Sequence, residues 1–202
     1  VLTLIGPNGS GKSTILKSIV KQLKSLGGVV YLNGKATSEM KEAEIAKSLS
    51  MVMTEHIHPE LMSCRDVVAT GRYPYTGRLG ILDKQDWKLV DEAITMVHAE
   101  EVAEQSFTRI SDGQRQRVML ARAICQDTAI LVLDEPTSYL DIRYKLDILN
   151  SIRKLARERN IAVIMSLHEL DLVQKVSDMV ACVDGTTVSH IGTPEEIFQG
   201  SL

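Results

Sequence analysis

Short apolar runs alternate with longer amphipathic stretches along much of the chain. The runs that fit strands are 1–5, 29–32, 49–53, 129–133, 161–166, 179–183 and 188–191. Several are almost continuously apolar, as is typical of strands covered on both faces. Helical patterns over 11–26 and 141–159 lie between them, with apolar positions at helical spacing in the second. This alternation predicts an α/β fold with a mostly parallel sheet flanked by helices.

The stretch 60–125 has a different pattern. It contains helical patterns at 64–70, 83–98 and 114–125 and no convincing strand, and a loop with Gly and Pro at 71–77 interrupts it. We interpret 60–125 as a helical subdomain inserted into an α/β core formed by 1–59 and 126–202. The chain starts without Met, within a strand pattern, and ends just after a short helical pattern, so we expect truncation at both termini.

Charge and composition narrow the class of protein. The 202 residues include 23 Lys and Arg and 26 Asp and Glu, and 4% are aromatic. A slightly acidic balance argues against duplex nucleic acid as the main partner, and so few aromatic residues argue against a base-stacking platform. The three cysteines are far apart and lack metal-site spacing, which favours reduced thiols in a cytosolic compartment.

A glycine-rich phosphate loop follows the first strand pattern. Its sequence, Gly-Pro-Asn-Gly-Ser-Gly-Lys-Ser-Thr, matches G-x-x-x-x-G-K-[ST] and opens a helical pattern. Such a loop lets backbone N–H groups approach a polyphosphate, and the helix N-terminus adds a positive dipole end. Lys12 would reach the β- and γ-phosphates of ATP, and the Ser13 hydroxyl would ligate Mg²⁺. The predicted nucleotide-binding residues here are Gly6, Asn8, Gly9, Ser10, Gly11, Lys12, Ser13 and Thr14.

Two acidic residues end the apolar strand pattern at 130–133. Asp134 is placed to hold Mg²⁺, and Glu135 to orient and polarise an attacking water as general base. An acidic pair at a strand end is common in turns, so its significance comes from the phosphate loop upstream.

A helix start with anion-binding potential precedes this strand. Ser111 is a good N-cap and Gln114 follows at capping-box spacing. A capped helix is a sufficient explanation locally, although a helix N-terminus is also a natural anion site.

Together these motifs resemble the ATP-binding-cassette (ABC) ATPases. The phosphate loop, the Ser-Asp-Gly-Gln signature at 111–114, the acidic pair and His168 occur in the order typical of that family. The resemblance implies a P-loop core with a helical subdomain, ATP hydrolysis with Mg²⁺, and a head-to-tail homodimer that sandwiches ATP.

The same resemblance assigns roles to further residues. Ser111, Gly113 and Gln114 would contact the ATP held by the partner copy, and Asp141 would lie in the segment that crosses the dimer interface. His168 would contact the γ-phosphate and, with Lys12 and Glu135, complete the catalytic set.

The sequence departs from the family pattern at two places. Asp112 replaces the first Gly of the usual L-S-G-G-Q, which suits a first helical turn but puts a carboxylate near a bound phosphate. Glu55 stands near the usual Gln that senses Mg²⁺, with Thr54 as the alternative register. The adenine-stacking aromatic normally precedes the phosphate loop and cannot be assigned.

The segment 65–77 looks like its counterpart in ATPases that serve importers of iron chelates, haem and cobalamin. This implies integral membrane permease partners, an indirect link to a substrate-binding protein, and a cytoplasmic position on the inner face of a bacterial membrane. Tyr73 or Tyr75 would be a docking anchor if exposed. The alternatives are another importer subclass, a cassette ATPase acting on nucleic acid or ribosomes, and a regulator without turnover, against which Glu135 argues.

Overall fold

The computed structural model describes residues 1–52, 59, 61–77 and 79–199. Its strands are β1 (Leu2–Ile5), β2 (Tyr31–Leu32), β3 (Lys35–Ala36), β4 (Leu49–Val52), β5 (Ile130–Leu133), β6 (Ala162–Ser166), β7 (Met179–Val183) and β8 (Val188–Gly192). Six of them form one sheet in the order β4-β5-β6-β1-β7-β8, in which only β7 and β8 pair antiparallel. β2 and β3 form a separate antiparallel pair. The predicted α/β fold with a mostly parallel sheet is confirmed.

The helices of the described residues flank this sheet or connect its strands. They are α1 (Lys12–Ile19), α2 (Glu42–Ser48), α3 (Cys64–Ala69), α4 (Lys84–Met96), α5 (Asp112–Cys125), α6 (Ile142–Glu158), α7 (Leu170–Val176) and α8 (Pro194–Gln199). Side chains cap several of them. Asp83, Ser111 and Asp141 each accept a hydrogen bond from a backbone N–H in the first turn, which fixes where α4, α5 and α6 begin.

The sequence interpretation of 11–32 is wrong in its extents. The predicted helix continues to residue 26, whereas α1 ends at Ile19 and Lys21 adopts a left-handed φ of 64°. The predicted strand at 29–32 is reduced to two residues. Leu26 and Val29 are exposed, so packing against the core does not stabilise a longer helix or a longer strand here.

The sheet is covered on both faces, and alternate residues of a strand point to opposite sides. Leu4 and Val132 pack with Leu16 of α1 in the smaller cluster, while Leu131 and Leu133 join the larger one, which includes α6. The larger cluster continues into α3, α4 and α5. In the described part of 61–125, these helices and short 3₁₀ turns predominate. The β-type pairing in this part is one isolated bridge between Ser63 and Ser106.

Candidate active site

The loop between β1 and α1 needs glycine for steric reasons. Gly6 has a φ of 151°, and a Cβ added there would lie 2.1 Å from the carbonyl oxygen of Val183. Gly9 and Gly11 have φ values of 79° and 95°, where side chains cause strain. The backbone therefore holds a tight curve that leads directly into the N-terminus of α1.

Lys12 lies within this curve. Its Nζ donates hydrogen bonds to the carbonyl oxygens of Gly6 at 2.9 Å and Pro7 at 3.0 Å. The Oγ of Ser10 is buried and has no hydrogen-bond partner among the described residues. Among the described residues the hydrogen-bond partners of this buried cation are neutral carbonyls, and the same loop holds an unsatisfied hydroxyl. Both features fit a loop that receives an anion.

An open cleft of about 520 Å³ lies over the loop. It brings together the phosphate loop, Glu135 (two residues after β5) and His168 (two residues after β6). The residues that line it are Asn8, Gly9, Gly11, Lys12, Ser13, Thr14, Glu135 and His168. Three sequence-predicted groups that are far apart in the chain thus meet at the carboxyl ends of the strands, where parallel sheets bind ligands.

Asp134 is fully buried directly after β5. Its Oδ1 accepts a hydrogen bond of 2.8 Å from the hydroxyl of Ser166, while Oδ2 is buried with no hydrogen-bond partner among the described residues. An unsatisfied buried carboxylate oxygen is costly unless something binds it. Carboxylate and hydroxyl oxygens are ligands that Mg²⁺ prefers, so Asp134 and Ser13 fit this ion.

Glu135 is held on several sides. Its backbone, at a φ of 48°, donates to Ser166 Oγ at 2.9 Å. Its carboxylate accepts a hydrogen bond of 3.0 Å from Ser138 Oγ, and Oε1 lies 2.6 Å from Nε2 of His168. Partial burial alone would raise the pKa of Glu135, but the hydrogen bonds from His168 and Ser138 and the charges of His168 and Lys12 outweigh it and lower this pKa. The group is therefore an ionised, oriented carboxylate in the cleft.

The signature residues lie apart from this cleft within one chain. Ser111 and Gln114 form the predicted capping box at the start of α5, with hydrogen bonds of 2.9 and 3.3 Å. Gly113 sits against the chain at 139–140, where an added Cβ would lie 3.2 Å from the carbonyl oxygen of Tyr139. Asp141 caps α6 by accepting from the backbone N–H of Tyr144. None of these four residues lines the cleft.

Two residues that hold the acidic pair were not found from the sequence, and two predicted site residues cannot be placed. Ser166 bridges Asp134 and Glu135, and Gln116 donates to the backbone carbonyl of Glu135 at 3.4 Å. Finding Ser166 would have required the strand order, which puts the end of β6 beside that of β5. Glu55 and Thr54 lie outside the described residues.

The segment that resembles chelate importers is held by close packing against the C-terminal part of α5. A Cβ on Gly71 would lie 2.3 Å from the carbonyl oxygen of Arg122 in α5, so glycine allows close approach. Arg72 is buried, pairs with Asp86 at 2.9 Å and donates to the carbonyls of Cys125 and Gln126. Tyr73 is 54% exposed, whereas Tyr75 is 37% exposed and packs against the guanidinium of Arg72. Of the two tyrosines, Tyr73 is the more accessible.

The chain is similar to several known proteins. Residues 1–138 match the family described as ABC transporter. An uncharacterized ABC transporter ATP-binding protein of Methanocaldococcus jannaschii is 43% identical over the whole chain and 70% of that protein. The iron(3+)-hydroxamate import ATP-binding protein FhuC of Bacillus subtilis is 38% identical, over 98% of this chain and 74% of that protein. The achromobactin transport ATP-binding protein CbrD of Dickeya dadantii is 37% identical, over the whole chain and 75% of that protein.

Solved structures give the same fold. A dimeric ATP-binding cassette in a post-hydrolysis state with ADP and Pi has a TM-score of 0.85 at 24% identity, over 96% of this chain and 84% of that one. An inward-facing, putative metal-chelate type ABC transporter has a TM-score of 0.80 at 26% identity, over 98% of this chain and 73% of that one. Among the described residues, no helix is long and apolar enough to span a membrane. The phosphate loop, the acidic pair and these similarities together establish that the chain belongs to the ABC transporter family, as one of its ATP-hydrolysing, ATP-binding proteins.

Proposed function

We propose that the chain is the motor subunit of an importer for iron chelates of the siderophore type. The observation that carries this proposal is similarity, over 98–100% of this chain, to ATP-binding proteins named for iron(3+)-hydroxamate and achromobactin transport. The exposed Tyr73 beside the buried Arg72 supports it, since this segment is the part of the sequence that resembles chelate importers.

The cleft geometry supports hydrolysis with Glu135 as general base. Its carboxylate takes a proton from water while the water oxygen bonds to the γ-phosphorus of ATP and the bond to the ADP oxygen breaks. His168, 2.6 Å from Oε1, orients that carboxylate and is available to the γ-phosphate. Lys12 exchanges the carbonyls of Gly6 and Pro7 for phosphate oxygens and so stabilises their charge.

Mg²⁺ would be held by Ser13 and Asp134, with Glu55 as a further ligand from the sequence resemblance. When bound, it neutralises charge on the phosphates. The orphaned Oδ2 of Asp134 supports its part in this set.

Pairing of two copies supplies the rest of the proposed site. Ser111, Gly113 and Gln114 lie apart from the cleft of their own chain and would contact ATP bound to the partner, with Asp141 near the interface. The Ser111 hydroxyl accepts from the Gln114 N–H and donates to no group of the described residues, so its hydrogen could bond a phosphate oxygen. We further propose that 60–125 acts as a helical subdomain that meets a membrane permease through Tyr73, on the cytoplasmic side, and is thereby coupled to a substrate-binding protein.

Uptake of a radiolabelled iron chelate tests this function in a host that lacks its other chelate importers. Glu135→Gln should abolish uptake, whereas Glu158→Gln, on the exposed end of α6, should leave it unchanged. Undiminished uptake with Glu135→Gln, while turnover by the isolated protein is lost, would contradict the iron assignment. Cobalamin and haem would then be tested.

A further inference from the structure

The Asp that departs from the usual signature is paired with an arginine. Asp112 opens α5, and its Oδ1 lies 2.6 Å from Nη1 of Arg115 one turn later. The Asp112 carboxylate is largely exposed, whereas the Arg115 side chain is mostly covered. Arg115 also donates to the carbonyl of Ile110 at 3.4 Å and lies 5.7 Å from the ring centroid of Phe107. The guanidinium is thus fixed from three directions against the signature.

Without Asp112, an arginine this close to the N-terminus of α5 would be unfavourable. The first turn of a helix carries the positive end of the dipole, which favours anions and disfavours cations. Asp112 satisfies that preference, but its charge would also repel a polyphosphate that approaches Ser111 and Gly113. Arg115 is placed to offset this charge, because it forms a short ion pair with the same carboxylate.

We propose that Arg115 is a positioning residue that neutralises Asp112, so that an Asp-containing signature accepts the γ-phosphate of ATP bound to the partner copy. This inference rests on the head-to-tail dimer of the proposed function and deepens it. Arg115 acts through Asp112 and makes no contact of its own with ATP. The Asp112–Arg115 pair therefore has no net charge, and Asp112 can stand at the position where the family usually has glycine.

A double-mutant cycle in the hydrolysis-deficient Glu135→Gln protein tests the proposal. Dimer formation is followed by light scattering during titration with Mg-ATP, and nucleotide binding to the monomer is followed with a fluorescent ATP analogue. Arg115→Gln should raise the ATP concentration for half-maximal dimerisation by roughly three- to tenfold, the size of effect expected of one unpaired charge at an interface. Binding of the analogue to the monomer should not change, because the phosphate loop is intact.

The second substitution separates charge neutralisation from other roles. In an Asp112→Asn background, Arg115→Gln should have no further effect, and Arg115→Lys alone should retain most of the wild-type response. Arg157→Gln, on the exposed surface of α6, controls for the change in net charge. If Arg115→Gln weakens dimerisation equally whether or not Asp112→Asn is also present, Arg115 contacts phosphate or supports the fold, and the proposal is wrong.

Failure of the proposed function would look different. If the Glu135→Gln protein with an intact signature forms no dimer at saturating Mg-ATP, the head-to-tail site itself is refuted. If it dimerises, and Ser111→Arg prevents this while Arg115→Gln does not alter it, only the role of Arg115 is refuted.

Discussion

At the scale of single residues, the site depends on a serine that carries no motif of its own. Ser166 donates to the buried Asp134 and accepts from the backbone of Glu135. We expect Ser166→Ala to lower the free energy of unfolding by about 1–3 kcal/mol, because it leaves a buried carboxylate oxygen unpaired. It should also reduce ATP turnover, since the loop that presents Glu135 loses its anchor.

Ser177→Ala is the matched control for this prediction. The Ser177 hydroxyl lies 2.6 Å from that of Thr3, also buried at the sheet but outside the cleft. Urea unfolding should show a loss for both variants, and a steady-state ATPase assay should show a loss of turnover for Ser166→Ala only. Equal turnover in the two variants would contradict a positioning role for Ser166.

At the scale of elements, one buried ion pair fixes the 3₁₀ turn at 70–75 to α4 and to the end of α5. The side chains of Arg72 and Asp86 are 9% and 13% exposed. Burial alone would raise the pKa of Asp86, but the hydrogen bond and charge of Arg72, with the capping contacts of Asp83, outweigh it and lower this pKa. The pair therefore contributes stability that is present above the ordinary pKa of Asp, ~4, and is lost as the pH falls further.

Arg72→Ala should cost about 3–5 kcal/mol at neutral pH, because the buried Asp86 carboxylate loses its counter-charge and the carbonyls of Cys125 and Gln126 lose a donor. Arg65→Ala should cost less, about 1–2 kcal/mol, since its ion pair with Asp91 is largely exposed and its further loss is the contact with the Trp87 ring. Denaturant unfolding at pH 7 and at pH 3 measures both. The deficit of Arg72→Ala should shrink at pH 3, and an undiminished deficit there would show that lost packing, not charge, accounts for it.

The three cysteines report on the packing of α3, α5 and β7. Burial raises the pKa of Cys64 to about 11 and that of Cys125 to about 12, and both are almost inaccessible. Cys182, in β7, is partly exposed, although burial raises its pKa too. A thiol reagent at pH 8 should modify Cys182 first and the other two only upon unfolding. Rapid modification of all three in the native protein would contradict this packing.

The elements that could be predicted from the sequence are those whose ends are set by residues next to them in the chain. The capping residues Ser111 and Asp141 set the starts of α5 and α6 to within one or two residues of the sequence interpretation. The helix predicted over 11–26 is longer than α1, because helical spacing alone does not show that Leu23 and Leu26 are exposed and have no core to pack against. The phosphate loop and the acidic pair carry their chemistry in contiguous residues, whereas the bridge made by Ser166 exists only once β6 lies beside β5.

At the scale of the whole molecule, the two groups of proposed nucleotide-binding residues do not share a cleft within one chain. The cleft contains Lys12 and Glu135, and the signature at Ser111 lies apart from it. Two copies paired head to tail would create two complete sites, each with a phosphate loop from one chain and a signature from the other. If ATP is hydrolysed at such paired sites, two inactive variants can restore activity to each other, which is impossible if each chain holds a complete site.

A chain with Lys12→Ala lacks a working phosphate loop, and a chain with Ser111→Arg lacks a working signature. Each alone should be inactive, but their mixture should recover ATPase activity, because half of the mixed dimers' sites combine the intact loop of one chain with the intact signature of the other. Wild type in a large excess of Lys12→Ala, so that nearly every wild-type chain is in a mixed dimer, shows whether one intact site suffices. Circular dichroism shows that Ser111→Arg folds despite losing its cap. If that control is active while the two-variant mixture stays inactive, ATP is hydrolysed within one chain and the paired site is wrong.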